Sequence, residues 1–150
     1  MAGLYFEEFS VGQKFIHPIR RTVLDMDNML FSALTYNPAP VHIDYAYASQ
    51  TEFGKPLVNS LFTLGLVVGL SIYETTLGTT VANLGMSETV FPKPVFIGDT
   101  IRVETEVIEM RGSKSRPNQG VVTFEHIAIN QRDEIVCRTK RAALMLRKPG

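Results

Sequence analysis

The sequence predicts an α+β domain in which an antiparallel sheet wraps one central buried helix, and three observations carry that prediction. Helical signals crowd into the first half of the chain and end near Leu77. Segments rich in β-branched residues and partly alternating fill the second half. Between them, residues 61–77 are apolar on nearly all sides, as suits a helix with no solvent face. Helices grouped early and strands grouped late make an α+β architecture, and a sheet around one apolar helix is the hot-dog arrangement.

Each element has its own signal. "KFIHPIRRTVL", residues 14–24, is rich in β-formers, and Pro18 puts it at an edge or a bend. Asp25 reads as the N-cap of a helix through "MDNMLFSALTY", where Met26, Met29, Leu30, Ala33 and Leu34 fall at helical spacing. Pro38 disfavours the α region at Asn37, so that helix ends at about Tyr36. A short helix follows over residues 45–53, with Gly54 as its C-cap. Asn59 and Ser60 are N-cap candidates for the apolar helix. Strands are predicted at "TVANLGMSETVF", "TIRVETEVIEM", "GVVTFEHIAIN" and "EIVCRTKRAALML", joined by the turn signals "PKPVFIGD", "RGSKSRPNQG" and "QRDE".

Bulk properties narrow the function classes. No repeat, linker or low-complexity tract divides residues 1–150, so one domain is expected. Fifteen basic residues balance fifteen acidic ones, which removes the electrostatic argument for nucleic acid or an anionic membrane as partner. One cysteine, Cys137, excludes an internal disulfide and fits a reducing compartment. The N-terminus has no apolar core of a secretory signal. The apolar run at residues 61–73 is broken by Thr63, Gly65, Gly69 and Ser71, short of the roughly 20 residues a membrane helix needs. The expectation is a soluble, cytoplasmic protein. Three scattered histidines and one cysteine imply no metal site, and no redox cofactor is implied either.

The chemistry concentrates in "TYNPAPVHID", residues 35–44. Two prolines stiffen this stretch between two helices, and a rigidly held loop is where reactive side chains gather. His42 can take and return a proton near neutral pH, since an ordinary imidazole titrates at about 6.5. The start of the apolar helix, around Ser60 and Leu61, offers free N–H groups and the positive end of the helix dipole. A thioester carbonyl resting there would have its developing enolate stabilised. The ten residues fit equally well a loop in which Asn37 makes an Asx turn and His42 bonds a backbone carbonyl. His17 and His126 lie in strands and read as structural or surface residues.

The wider window "LTYNPAPVHIDYAYASQTEFGKPLVNSLFTLGL", residues 34–66, resembles the hydratase signature of the MaoC-like, (R)-specific enoyl-CoA hydratase family of hot-dog proteins. That pattern runs approximately S-G-D-x-N-P-[LIV]-H-x-D, then a short alanine-rich helix, F-G-x-P-[IV]-x-H-G and the central helix. Pro40, Val41, His42, Asp44, Phe53, Gly54, Pro56 and Val58 match it. The resemblance makes His42 the catalytic histidine and puts the oxyanion-hole glycine at Ser60, where a backbone N–H still serves. Asn59 stands where the pattern has histidine, Ala39 where it has the asparagine of N-P, and Asn37 where it has the catalytic aspartate. Asparagine can orient a water but cannot act as acid or base.

Over nearly the whole chain, the sequence is similar to the MaoC-type hydratases of branched C5 dicarboxylic acyl-CoAs, mesaconyl-CoA and itaconyl-CoA. The resemblance rests on residues 51–71, 82–85, 91–100 and 113–120, and it includes the asparagine replacement. It implies a substrate that brings its own carboxylate near the double bond, with Asn37 positioning water for His42. Arg20 and Arg21 are candidates to receive that carboxylate. Asp44 is the runner-up carboxylate of the site, or a residue that fixes the loop. Lys114, Ser115 and Arg116, in the "RGSKSRPNQG" turn, form either a clamp on coenzyme A phosphates or an ordinary solvated hairpin loop. Coenzyme A enters only as part of the substrate. A homodimer or higher homo-oligomer is expected, because a lone sheet leaves open edges and the resemblance puts the active site at a subunit interface. The alternatives are a broad (R)-specific enoyl-CoA hydratase, an acyl-CoA thioesterase, and a non-catalytic acyl-CoA-binding subunit.

Overall fold

The computed structural model describes residues 3–150. After a single 3-10 turn at Phe6–Glu8 come β1 (Lys14–Ile16) and β2 (Arg21–Thr22), interrupted around Pro18 as its missing N–H requires. Four helices follow: α1 (Asp25–Leu34), α2 (Pro40–Ile43), α3 (Tyr45–Ala48) and α4 (Ser60–Thr75). The strands β3 (Thr80–Val90), β4 (Thr100–Gly112), β5 (Gln119–Ile129) and β6 (Ile135–Leu146) complete the chain. The sheet order is β1-β4-β5-β6-β3, with β2 also on β4, and every pairing is antiparallel. One face of this sheet curves over α4, giving the hot-dog fold. No described helix is long and apolar enough to cross a membrane.

The inner face shows the period-2 pattern of a sheet packed on one side. In β4, Ile101, Val103, Thr105 and Val107 are buried, while Arg102, Glu104 and Glu106 between them are only half-buried. The core falls into two apolar clusters. One gathers Val67 and Leu70 of α4 with Ile101, Val103, Ala128, Val136 and Cys137. The other gathers Phe9, Val107, Val122, Phe124, Ala143 and Met145. Between them, at corresponding positions on β4, β5 and β6, lie the buried polar residues Thr105, His126, Thr139 and Arg141.

All four helices differ from expectation, and α3 ends at Ala48 with Ser49 as its C-cap, short of residue 53 and of Gly54. The N-cap of α1 is Leu24; the side chain that returns to the Leu24 N–H, at 2.7 Å, belongs to Asp27. The apolar stripe of α1 faces outward: Met26, Leu30 and Leu34 are 65%, 52% and 71% exposed, whereas the buried residues are Asn28 and Ser32. The His42 segment is a helical turn, α2, because Pro40 at its first position has φ already set for a helix. α4 itself is covered on one face only. Val67, Leu70 and Ser71 are buried, while Leu61, Gly65, Gly69 and Tyr73 line an exposed side.

Candidate active site

The approach to His42 is built by local hydrogen bonds. The Asn37 N–H donates to the Ser32 carbonyl at 2.9 Å and closes the end of α1. The Asn37 Oδ1 accepts from the Ala39 N–H at 3.1 Å, an Asx turn that leads into Pro40. Before it, Tyr36 adopts the left-handed region with φ 54°, at the position the hydratase pattern gives to glycine. The His42 N–H then donates to the Ala39 carbonyl at 3.0 Å, and the Asp44 N–H to the Pro40 carbonyl at 2.9 Å. The Asp44 carboxylate caps α3 by accepting the Tyr47 N–H at 2.9 Å, so it fixes the turn after the histidine.

Asn28 joins this turn to the start of α4. It is 1% exposed, and its Nδ2 donates to the His42 carbonyl at 3.1 Å and to the Leu57 carbonyl at 3.2 Å. Its Oδ1 accepts the Asn59 N–H at 2.8 Å. One side chain thus ties the turn at His42 to residues 57–59, which lead into α4. The reading of the sequence missed it. The available signal was a poor helix former inside α1, which needs an outside partner to justify its place.

The imidazole of His42 is oriented by the same clasp. Its Nδ1 lies 2.6 Å from the Leu57 carbonyl. A carbonyl only accepts, so Nδ1 carries the hydrogen and Nε2 keeps its lone pair. No protein group among the described residues bonds Nε2. At the start of α4, the Asn59 side chain accepts the Leu61 N–H at 3.0 Å and caps the helix. The Leu61 donor is therefore occupied, whereas the Ser60 N–H, at the first helical residue, has no intrahelical acceptor. Asn59 is 3% exposed, with both its side chain and its N–H engaged.

Two cavities flank these groups. One of about 370 Å³ is lined by Met29, Ser32, Asn37, Pro38 and Ile43. The other, of about 240 Å³, is lined by Ser60, Leu57, Thr63, Phe53 and Lys93. Lys93 was not singled out from the sequence, because it sits in a segment that reads as a plain turn. Arg20 and Arg21 line neither cavity. The Arg21 guanidinium is bound bidentately by Asp27 at 2.6 and 2.8 Å, which also holds the Asp27 carboxyl below its ordinary range. The expected carboxylate receptor is therefore already neutralised by a neighbour.

Lys114, Ser115 and Arg116 lie together with Arg111 around a third cavity of about 390 Å³, over Leu84 and Leu144. Among the described residues no acid pairs with these three cations; Arg116 reaches only the Gln119 amide oxygen, at 3.4 Å. This loop sits beyond the C-terminal end of α4, where the Leu146 N–H bonds the Thr79 carbonyl and the Arg147 N–H bonds the Asn118 carbonyl. His42 and Ser60 are at the other end, where the Val58 N–H bonds the Val95 carbonyl. Within one chain the structure ties the His42 turn to the start of α4 through Asn28 and the Leu57 carbonyl. It puts Asn37 and Ser60 on the two flanking cavities and keeps the cationic loop apart from them.

The other two histidines have no free nitrogen. Arg141 Nε donates to His126 Nε2 at 3.1 Å, and His126 Nδ1 donates to the Thr105 hydroxyl at 2.8 Å. That hydroxyl donates to His17 Nε2 at 2.8 Å, and His17 Nδ1 donates to Glu74 at 2.6 Å. Burial, reinforced by Arg141 and His17, pushes His126 down to about 3. Burial alone lowers Arg141 to about 10.

Known proteins resemble this chain over most of its length. The family model described as "MaoC like domain" matches residues 7–130. A mesaconyl-CoA hydratase of Cereibacter sphaeroides is 35% identical over 141 residues, covering 90% of this chain and 39% of that protein. A beta-methylmalyl-CoA dehydratase of Chloroflexus aurantiacus is 30% identical over 134 residues, covering 89% of this chain and 38% of that protein. The chain therefore spans about two fifths of the length of these relatives. A Mycobacterium tuberculosis protein described as a double hot-dog fold superposes with a TM-score of 0.86 at 24% identity, over 99% of this chain and 47% of that one.

Proposed function

The chain belongs to the MaoC-like domain family, and on that premise we propose that it adds water reversibly across the double bond of a branched C5 dicarboxylic enoyl-CoA, mesaconyl-CoA or itaconyl-CoA. The observation that carries the reading is the state of His42. Its Nδ1–H is committed to the Leu57 carbonyl, and its Nε2 lone pair faces no protein donor among the described residues. In hydration, Nε2 takes a proton from a water held by the Asn37 amide while the water oxygen bonds to the β-carbon. The electron pair moves through the α-carbon to the thioester oxygen, held by the Ser60 N–H, and His42 returns the proton to the α-carbon. A positioned general base contributes ~10²–10⁴ in rate and an oxyanion donor ~10²–10³. The substrate's second carboxylate supplies the negative charge that an aspartate would supply at position 37. The reading uses no metal or redox group, and the buried lone Cys137 fits a cytoplasmic setting.

The working unit in this reading is a homodimer. β3 pairs on one side only, with β6, and nearly all its residues are exposed. Leu61 and Tyr73 of α4 are 59% and 49% exposed, and the apolar stripe of α1 is exposed as well. Edge-to-edge pairing of β3 with a second copy would cover these surfaces. It would also bring the Lys114–Arg116 loop of one subunit towards the His42 of the other, giving the coenzyme A phosphates their clamp.

Ultraviolet assay of the purified chain against mesaconyl-CoA, itaconyl-CoA and crotonyl-CoA tests the reading. The expected result is hydration of a C5 dicarboxylic ester well above crotonyl-CoA. Equal efficiency on all three would replace it with a broad enoyl-CoA hydratase. Release of free CoA would make it a thioesterase. Binding without turnover, the outcome Asn37 would favour, would make it an acyl-CoA-binding subunit.

A further inference from the structure

The reading above leaves the substrate's second carboxylate without a receptor, because Arg21 is held by Asp27 and no cation lines the cavity beside Asn37. One residue lining that cavity carries an unexplained polar group. Ser32 is fully buried, and its hydroxyl oxygen has no hydrogen-bond partner. A buried hydroxyl left unpaired is costly, and in a native fold it calls for a reason. Of the buried hydroxyls in this state, Ser32, Thr76 and Thr79, it is Ser32 that lines a cavity described above. Asn37 lines the same cavity, and its Oδ1 is committed to the Ala39 N–H, which leaves both hydrogens of Nδ2 available.

We propose that Ser32 is a specificity-determining residue: its hydroxyl and the Asn37 amide donate to the second carboxylate of the acyl group in the cavity beneath α1. The inference rests on the hydratase reading and fixes where the acyl end lies. With the thioester oxygen at the Ser60 N–H and the double bond between His42 and Asn37, the remaining carbons continue past Asn37. They enter the Ser32 cavity, and the coenzyme A moiety departs on the side of Lys93. The rest of that cavity, Met29, Ala33 and Ile43 among it, is apolar and suits the methyl branch. One Nδ2 hydrogen serves the carboxylate and the other the attacking water, so the two are held against each other. The carboxylate stands where the missing aspartate would act. Two neutral donors in place of an arginine suit a carboxylate that must keep its charge available to the reaction.

The test is calorimetric binding of two saturated, unreactive esters, methylsuccinyl-CoA and butyryl-CoA, to the wild type, Ser32→Ala and Ser32→Thr. A hydrogen bond to a charged group corresponds to ~10-fold or more in affinity. Ser32→Ala should weaken methylsuccinyl-CoA by about that factor while butyryl-CoA stays within ~2-fold. Ser32→Thr, which keeps the hydroxyl, should restore the preference. The melting temperature of Ser32→Ala should hold or rise, since the hydroxyl has no partner to lose. An alanine variant that discriminates like the wild type, weakens both esters equally, or melts early would overturn the role of Ser32 while leaving the hydratase reading intact. A wild type that binds neither ester would overturn the site itself.

Discussion

Two polar clusters lie against α4, and they treat histidine in opposite ways. At the N-terminal end, Asn28 and the Leu57 carbonyl fix the turn and one nitrogen of His42, and the other nitrogen is left unbonded. In the middle of the core, the chain Arg141, His126, Thr105, His17 and Glu74 uses both nitrogens of both imidazoles. The first arrangement holds a base in position without consuming it. The second uses two imidazoles as links between a buried cation and a carboxylate, which leaves neither ring a free nitrogen. His42 thus differs from His17 and His126 in two ways: the protein leaves one of its ring nitrogens unoccupied, and it is only partly buried where they are buried.

That contrast can be broken first in the core. Replacing His126 with Leu removes the hydrogen-bond acceptor of the Arg141 guanidinium, which is 3% exposed. A lost hydrogen bond to a charged group costs ~1.5–3 kcal/mol and the Thr105 hydroxyl left without His126 ~1–3 kcal/mol more, so thermal unfolding should show the largest loss of stability of any single change proposed. Any folded fraction should turn over normally per molecule. Asn28→Ala comes next. It strips a partner from the His42 carbonyl and the Asn59 N–H, at ~1–3 kcal/mol for each group left unsatisfied. Unlike His126→Leu, it should also lower kcat, because the groups it releases hold His42 and the start of α4.

Acid sharpens the comparison. His126 is held at about 3 in the folded chain against ~6.5 when unfolded. A depressed folded value contributes stability above pH ~6.5 that is lost as the pH falls towards 3. Between those limits the unfolded chain binds the extra proton, and stability drops by ~1.4 kcal/mol per pH unit from this group. Denaturant unfolding across that range should show the decline, with a shallower one in a folded His126→Gln variant. The smallest effect tests how the loop at Lys114 and Arg116 meets His42. Equal mixing of His42→Ala with a Lys114→Ala/Arg116→Ala double variant should recover roughly a quarter of wild-type activity, from the one intact site in each mixed dimer. No recovery would put both parts of the site in one chain.

The fold was legible because its signals are local. Alternation fixed the four long strands to within a residue or two, and Asn59 marked the start of α4. His42 was legible because a proline-rich turn and a family pattern surround it. Asn28 and Ser32 were not, because helical periodicity gives the faces of α1 without saying which one points inward. The apolar stripe invited the wrong choice: in the single chain it faces solvent, and the polar face turns towards the site. The chain from Arg141 to Glu74 depends on the register of β4, β5 and β6, which no local pattern encodes.

The most direct measurement compares mesaconyl-CoA hydration by the wild type, His42→Ala and His17→Gln at equal folded concentration. The account predicts that His42→Ala loses at least ~10²-fold in kcat with little change in melting temperature. His17→Gln should lose stability and keep its rate. A His42→Ala variant that hydrates mesaconyl-CoA like the wild type would contradict the account.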